Sequence, residues 1–266
     1  MRQQPPAPLA AGAPRDWDGA AYDRVADAHA RWGAVVLDRL RLAGDERVLD
    51  AGCGSGRVTE QLLARLPRGH VVALDGSPAM LAEAGRRLTG FNGRVTFVEA
   101  DLRRPLPLEE PVDAILSTAT FHWIADHAAL FRHLAAALRP GGQLVAQWGG
   151  AGCVATVEAA ARAAWPLDDG WPGPWTFATA EETARRLEAA GFVEVRCWLH
   201  DEPTPLTPGE PLETFLRTVI LGAHLERLPE GERASFVKAV AAGLPTPARP
   251  VLDYVRLNVV ARRGRR

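Results

Sequence analysis

Three acids and one glycine-rich turn are the residues here whose types and spacing point to chemistry. Residues 48–66 read VLDAGCGSGRVTEQLLARL: an apolar run carries Asp50, and Gly52, Gly54 and Gly56 follow at alternate positions before a helical pattern. A dinucleotide site wants G-x-G-x-x-G, whose third glycine lets the helix close on the strand and face a diphosphate. That position is Arg57 here. Asp50 stands two residues before the first glycine, where a carboxylate repels a diphosphate and attracts a cation. HVVALDG then ends on Asp75, and an acid at such a strand end accepts hydrogen bonds from both hydroxyls of a ribose. VTFVEADL ends on Asp101-Leu102, an acid for an adenine amino group beside a backbone amide for the ring. Each acid alone also fits a helix cap. Three at successive strand ends point to a nucleoside with a cationic arm, because that edge is where open parallel sheets bind ligands.

The elements that position them follow from periodicity. RVLDAG, HVVALDG, VTFVEAD, VDAILS and GGQLVAQWG are short apolar runs, alternating with the helical patterns GRVTEQLLARL, SPAMLAEAGRRL and DHAALFRHLAAALR. That alternation predicts an α/β fold, a parallel sheet with helices on both faces. Ser77-Pro78 reads as N-cap and first helical residue, and Pro140-Gly141-Gly142 as a helix stop. Upstream, Tyr22, Val25, His29, Trp32, Val36 and Leu40 recur at helical spacing and predict a helix over Trp17 to Leu42. Downstream come a tryptophan- and proline-rich stretch, WPLDDGWPGPWTF, a helix over Glu181 to Ala190 and a strand over Phe192 to Trp198. Helices over Leu212 to Leu228 and Arg233 to Ala242 precede a last strand, VLDYVRLNVVAR. The expected division is a disordered leader at 1–15, a core with its N-terminal cap helix at 16–200, a helical lid insertion at 201–250, and the last strand with a basic tail at 251–266.

Composition narrows the function classes. With 47% hydrophobic residues in 266, the chain has ample material for a core. A formal net charge of -1 gives no global reason to bind nucleic acid or an acidic membrane surface. Three widely spaced cysteines, Cys53, Cys153 and Cys197, fit neither a disulfide framework nor a zinc site, and no metal-spaced cluster occurs. The start, MRQQPPAPLAAGAPRDWDG, lacks the apolar core of a signal peptide, which with the unpaired cysteines predicts a cytoplasmic setting.

VLDAGCGSG, LDGSPAMLAEA, VEADL, VDAILSTATFHW and LRPGGQLV, in this order and spacing, resemble the nucleotide-binding segments of class I S-adenosylmethionine-dependent methyltransferases over about residues 30 to 150. FHWIADHAALFRHLAAALRPGG, with WDGAAYDRVAD before it, looks like the trans-aconitate methyltransferase-like group. The resemblance implies a doubly wound, mostly parallel seven-stranded Rossmann-like sheet with a helical insertion before the last strand. It implies S-adenosyl-L-methionine as cofactor and a small molecule as methyl acceptor. Gly52 and Gly54 would then approach the methionine arm above Asp50, Asp75 with Gly76 would hold the ribose, and Met80 would pack on the adenine. Asp101 and Leu102 would fix the adenine edge, Ser117 would line the methyl-donor side, and Tyr22 would lie on the helix that folds over the donor.

Toward the acceptor the expected residues are Tyr22, His122, Trp123, Trp148 and Trp171. Methyl transfer from a sulfonium is an in-line displacement, so the protein mainly aligns the acceptor. A base is needed only where the acceptor is protonated near neutral pH: a carboxylate is ready, an alcohol is not. His122 is the candidate base, or a packed wall residue between Phe121 and Trp123. Trp165, Trp171 and Trp175 fit either an apolar substrate pocket or satellite core. A tricarboxylate would call for arginines, and Arg31, Arg196 and Arg217 lie in no motif. Ser117-Thr118-Ala119-Thr120 stands where amino-methylating DNA enzymes carry a Pro-Pro tetrad, and no cysteine follows a proline as cytosine-carbon methylation requires. The expected acceptor atom is an oxygen of an organic acid or secondary metabolite. Carbon or nitrogen methylation, and a non-catalytic adenosylmethionine-binding protein, stay open.

Overall fold

The computed structural model describes residues 27–91, 93–165 and 170–265, and among the described residues nine strands occur. They are β1 (Arg47–Ala51), β2 (His70–Asp75), β3 (Val95–Glu99), β4 (Val112–Thr118), β5 (Leu138–Gly149), β6 (Phe192–Asp201), β7 (Thr204–Pro205), β8 (Val251–Leu252) and β9 (Val255–Arg263). Seven form one sheet in the order β3-β2-β1-β4-β5-β9-β6. The first five pair in parallel, and β9 inserts antiparallel between β5 and β6. This is the doubly wound, mostly parallel α/β sheet that the alternation of runs predicts. The order reverses between β1 and β4, so the turns after those strands open a crevice at their carboxyl ends.

The sheet is covered on both faces because its inner strands carry apolar residues at successive positions through their middles, with alternate residues feeding opposite cores. Leu49, Val72, Leu74, Ile115, Leu144 and Ala146 face one core with Phe131 and Leu134 of α4 (His127–Ala137) and Leu187 of α6 (Ala180–Ala189). Val48, Val71, Ala114, Leu116 and Val145 face the other. There they meet Val36 and Leu37 of α1 (Asp27–Leu37) and Val58, Leu62 and Leu63 of α2 (Arg57–Arg65). The helix α3 (Pro78–Arg87) starts as expected: the Ser77 hydroxyl accepts from the Met80 N–H at 3.2 Å, with Pro78 in the first turn. Such a cap contributes about 1 kcal/mol and fixes where β2 hands over to the helix.

A third core lies under the insertion. It joins α5 (Ala155–Ala164), α7 (Glu210–Phe215), α8 (Gly222–Arg227) and α9 (Glu230–Ala242), and takes in Trp32 of α1 and Tyr254 at the root of β9. The expected helix over Leu212 to Leu228 is broken: a π-helical turn, Leu216–Ile220, separates α7 from α8. The expected last strand is also broken. β8 pairs with β7, and Asp253 leaves the sheet to accept from the backbone N–H and hydroxyl of Thr156 at 3.0 and 2.6 Å. Those bonds satisfy the N-terminus of α5, a helix the sequence patterns do not predict. At α4 the helix ends at Ala137 and β5 begins at once, so Pro140-Gly141-Gly142 lies inside the strand, opposite a register shift in β4. The leader and the helix positions before Asp27 lie outside the described residues. No described helix is long and apolar enough to cross a membrane.

Candidate functional site

A cavity of about 410 Å³ opens at the carboxyl ends of β1, β2 and β4, bounded on its far side by the insertion. The glycine turn forms its floor at one end. The Gly52 and Cys53 N–H groups both donate to the Leu74 carbonyl, at 2.8 and 2.9 Å, locking the turn to β2. Gly52 has φ 82°, and a β-carbon there would collide with the Thr120 side chain. Gly54, at φ 54°, would place a β-carbon with no protein atom within 4 Å, although it lines the cavity. At Gly54 the backbone stands bare toward the space a ligand would fill.

The three strand-end acids occupy different environments. Asp75 lines the cavity, its carboxylate accepting from the Gly54 N–H at 2.8 Å and the Ser77 N–H at 2.9 Å. It therefore also holds the turn in shape. Asp101 lines the cavity beside Leu102 and accepts from Arg103, whose Nε lies 2.9 Å from both carboxylate oxygens. Burial works to raise the Asp101 carboxyl, but the hydrogen bonds and charge of Arg103 outweigh it and hold the group below its ordinary range. Asp50 lies beneath the turn, 1% exposed and outside the cavity wall. Its Oδ2 accepts from the Thr59 hydroxyl at 2.7 Å, while Oδ1 makes no hydrogen bond among the described residues. Burial pushes the Asp50 carboxyl up to about 7, against the Thr59 bond and with help from the charge of Asp75. Gly76 and Met80 line the same end.

At the opposite end His122 and Trp123, on a single 3₁₀ turn after β4, line the cavity. The His122 Nδ1 accepts from the Gly149 N–H at 3.4 Å, and its carbonyl accepts from the Thr176 N–H at 2.8 Å. Trp175 stacks on Phe177, centroids 5.6 Å apart, and both line the wall. Val219, Ile220, Ala223 and Glu226 bring the insertion to the cavity, and Tyr254 and Arg256 bring β9.

Besides Asp50, three expected residues lie outside the cavity wall. The Ser117 side chain is turned to β1, its hydroxyl donating to the Ala51 carbonyl at 2.7 Å, and Thr118, Ala119 and Thr120 line the wall instead. Trp148 falls on the same face of β5 as Leu144 and Ala146, so the strand's period of two sends it into the core, against Phe121 at 5.1 Å. Trp171 packs in the insertion beside Trp165 and His224, at 5.4 and 4.9 Å. Tyr22 and the side chain of Arg31 lie outside the described residues, and Arg196 and Arg217 are not in the wall. The arginines that line it are Arg57, Arg103 and Arg256, which sequence reasoning passed over. For Arg256 a signal existed: it is a charged residue in the mostly apolar strand VRLNVV, where burial of a charge demands a reason.

A model of methyltransferase domains matches residues 48–142. The chain is similar to a protein of Methylobacterium nodulans named trans-aconitate 2-methyltransferase, 35% identical over 94% of this chain and 99% of that one. A protein of the same name from Acidovorax sp. is 41% identical over half of this chain and 49% of its own length. Among solved structures, the YcgJ protein of Bacillus subtilis superposes with a TM-score of 0.64 at 14% identity, covering 89% of this chain and 99% of that one. A Haemonchus contortus phosphoethanolamine N-methyltransferase 2 in complex with S-adenosyl-L-methionine gives 0.60 at 20% identity, covering 93% and 57%.

Proposed function

The chain belongs to the S-adenosylmethionine-dependent methyltransferases, and from that premise we propose that it esterifies a small organic acid at a carboxylate oxygen. The donor end suits its ligand on three counts. The backbone at Gly54 stands open to the cavity, acids end the second and third strands, and an unsatisfied oxygen of Asp50 lies beneath the turn. Gly54, Asp75 with Gly76, Met80, Asp101 and Leu102 would hold the donor, with Asp75 on the ribose hydroxyls and Asp101 and Leu102 at the adenine edge. When bound, S-adenosylmethionine supplies an electrophilic methyl group on a positively charged sulfur.

What this chain must add is an acceptor atom held in line with that methyl, at about 3 to 3.5 Å, in a site that excludes water. Trp123, Trp175, Phe177 and Ile220 supply apolar walls for such exclusion. The observation that carries the oxygen-ester reading is the orientation of His122. A neutral imidazole whose Nδ1 accepts from Gly149 carries its proton on Nε2. In that tautomer the ring donates a hydrogen bond from Nε2, and its one nitrogen lone pair, on Nδ1, faces the Gly149 N–H rather than the acceptor. An alcohol acceptor needs a base, whereas a carboxylate accepts the hydrogen bond and is already a nucleophile. The names of the full-length relatives, whose stated acceptor is a tricarboxylic acid, support the same class.

The test is incubation with S-adenosylmethionine and a panel of mono-, di- and tricarboxylic acids, read by mass spectrometry before and after mild alkali. The expected result is a product heavier by one methylene that reverts in alkali, as an ester does. A product that resists alkali, or turnover confined to amines and phenols, overturns the reading.

A further inference from the structure

The arginines of the cavity wall are all engaged within the protein. Arg103 pairs with Asp101 at the donor end, and Arg57 begins α2 beside the glycine turn. Arg256 comes from β9, but its Nε donates to the Gln147 Oε1 at 3.3 Å and its guanidinium lies over the Trp32 ring, 4.5 Å from the centroid. Glu226 of α8 would repel a carboxylate, and like the arginines it already has a partner in the protein. The rest of the acceptor end is apolar. Val154 before α5, Trp175 and Phe177 before α6, Val219 and Ile220 of the π-helical turn, and Ala223 of α8 line it together. This wall is held in place. Trp175 lies nearly parallel to Phe177, at 13° and 5.6 Å between centroids, and packs on the His224 ring at 5.4 Å. Burial pulls the His224 imidazole down to about 4, so it brings no positive charge to Trp175 near neutral pH. The π-helical turn closes from the Leu221 N–H to the Leu216 carbonyl at 2.7 Å, and from that turn Val219 and Ile220 reach the cavity.

Resting on the carboxylate reading above, we infer that the acceptor is a monocarboxylic acid with an apolar body, its hydrocarbon against the Trp175–Phe177 pair and the π-helical turn and its carboxylate toward His122. Two magnitudes favour this class over acids with more carboxylates. Each methylene moved from water onto such a wall strengthens binding about fourfold. A second carboxylate set there would lose its hydration for no hydrogen bond, which weakens binding by about 10²-fold or more. The reaction asks for one carboxylate only. Its oxygen forms the O–CH3 bond as the S–CH3 bond breaks, the electron pair of that bond stays on sulfur, and the two charges cancel without a proton moving. Ions of opposite sign become two neutral products, a change that apolar surroundings favour over water.

The experiment sets hexanoate against adipate and octanoate against suberate, pairs that differ only by a terminal methyl in place of a terminal carboxylate. Butyrate extends the chain series, and trans-aconitate stands for the tricarboxylic acids. Wild-type protein should favour each monoacid over its diacid by about 10²-fold or more in kcat/KM, and kcat/KM should rise about fourfold per methylene from butyrate to octanoate. Calorimetry of the same monoacids on the S-adenosylhomocysteine complex should give Kd values that follow the series, with a negative heat-capacity change. Ile220→Ala should lower kcat/KM for octanoate about tenfold, mainly through KM, and that for butyrate far less, whereas Ile220→Leu should keep the wild-type series. Adipate or trans-aconitate preferred to hexanoate, or rates and affinities that ignore chain length, overturn this inference and leave the esterification reading intact. A series unchanged in Ile220→Ala overturns the placement of the hydrocarbon on the π-helical turn. Turnover of no carboxylic acid overturns both readings.

Discussion

At the glycine-turn end of the cavity, the expected contacts come from the ends of β1, β2 and β3 or from the residues just after them. At the acceptor end the walls come from a 3₁₀ turn, the root of an antiparallel strand, and an insertion whose helix is interrupted by a π-helical turn. The family model stops at residue 142, before any of the insertion. The first end is fixed by topology: once the parallel strands pair, Gly54, Asp75 and Asp101 arrive together whatever the rest of the chain does. The second depends on how three cores pack, so it can change without disturbing the first. On the reading proposed above, one end sets what is donated and the other sets what receives it.

The largest effect that would break this division is expected at Gly54. Gly54→Val forces a β-branched residue into a left-handed conformation, a strain of about 1 to 3 kcal/mol, and fills space that no protein atom occupies. Donor binding should be abolished while the melting temperature shifts by only a few degrees. Calorimetry with S-adenosylhomocysteine is the measurement, and retained affinity would mean the turn is a strand-to-helix connection and nothing more.

Asp75→Ala comes next. Loss of a charged acceptor for two hydroxyls should weaken donor binding by on the order of 2 to 4 kcal/mol. The structure sharpens the test, because Asp75 also accepts from the Gly54 and Ser77 N–H groups. Asp75→Asn keeps one acceptor oxygen and should fall between wild type and Asp75→Ala. If both variants bind S-adenosylhomocysteine as wild type does, the ribose assignment is wrong.

The places of Gly54 and Asp75 in the cavity wall were legible because the end of a parallel strand and the turn after it have a fixed place in such a sheet. Ser117 and Trp148 lie on equally legible strands, yet a period of two decides only that neighbours face opposite ways, not which face meets the cavity. Arg256 was hidden by the break at Asp253-Tyr254. VLDYVR reads as continuous strand until Asp253 is seen capping α5, and α5 itself lacks a local cap because its partner lies 97 residues away. The π-helical turn has no residue pattern that marks it, so Val219 and Ile220 could not be assigned to a cavity wall. Long-range packing made the acceptor end, and a local pattern does not encode it.

A third prediction uses charge at the donor end. Asp50, with its carboxyl raised to about 7 by burial, is partly protonated at neutral pH. A cationic ligand over the turn favours the ionised form and lowers that value, so binding must expel a proton wherever the empty protein holds one. Affinity for S-adenosylmethionine should therefore be highest above pH 7 and fall as pH drops below it, by up to about tenfold per unit. Asp50→Asn, whose amide oxygen still accepts from Thr59, should bind with no such slope. Calorimetry in two buffers of different ionisation heat counts the protons released. A flat wild-type profile between pH 6 and 8 would show that Asp50 does not sense the donor's charge.

The smallest effect is expected at His122, and it bears most directly on the acceptor end. The ring is held by the Gly149 N–H on one nitrogen, and its neighbours Trp123 and Phe177, at 5.0 and 6.0 Å, are apolar. A ring so held orients an oxygen through a single hydrogen bond, a contact of about 0.5 to 1.5 kcal/mol, so His122→Ala should slow turnover of a carboxylic acid roughly three- to tenfold. No new pH limb should appear, since no proton leaves the nucleophile before attack. His122→Gln can donate from its amide and should recover part of the loss. Were the ring a general base, removal would instead cost roughly 10²- to 10⁴-fold, and wild-type turnover would climb with pH as the imidazole lost its proton. Glutamine would rescue nothing in that case. Initial rates for the three proteins across pH 5.5 to 8.5, at saturating donor, separate a hydrogen-bonding wall from a base. A large loss that glutamine fails to restore would return the acceptor to the alcohols.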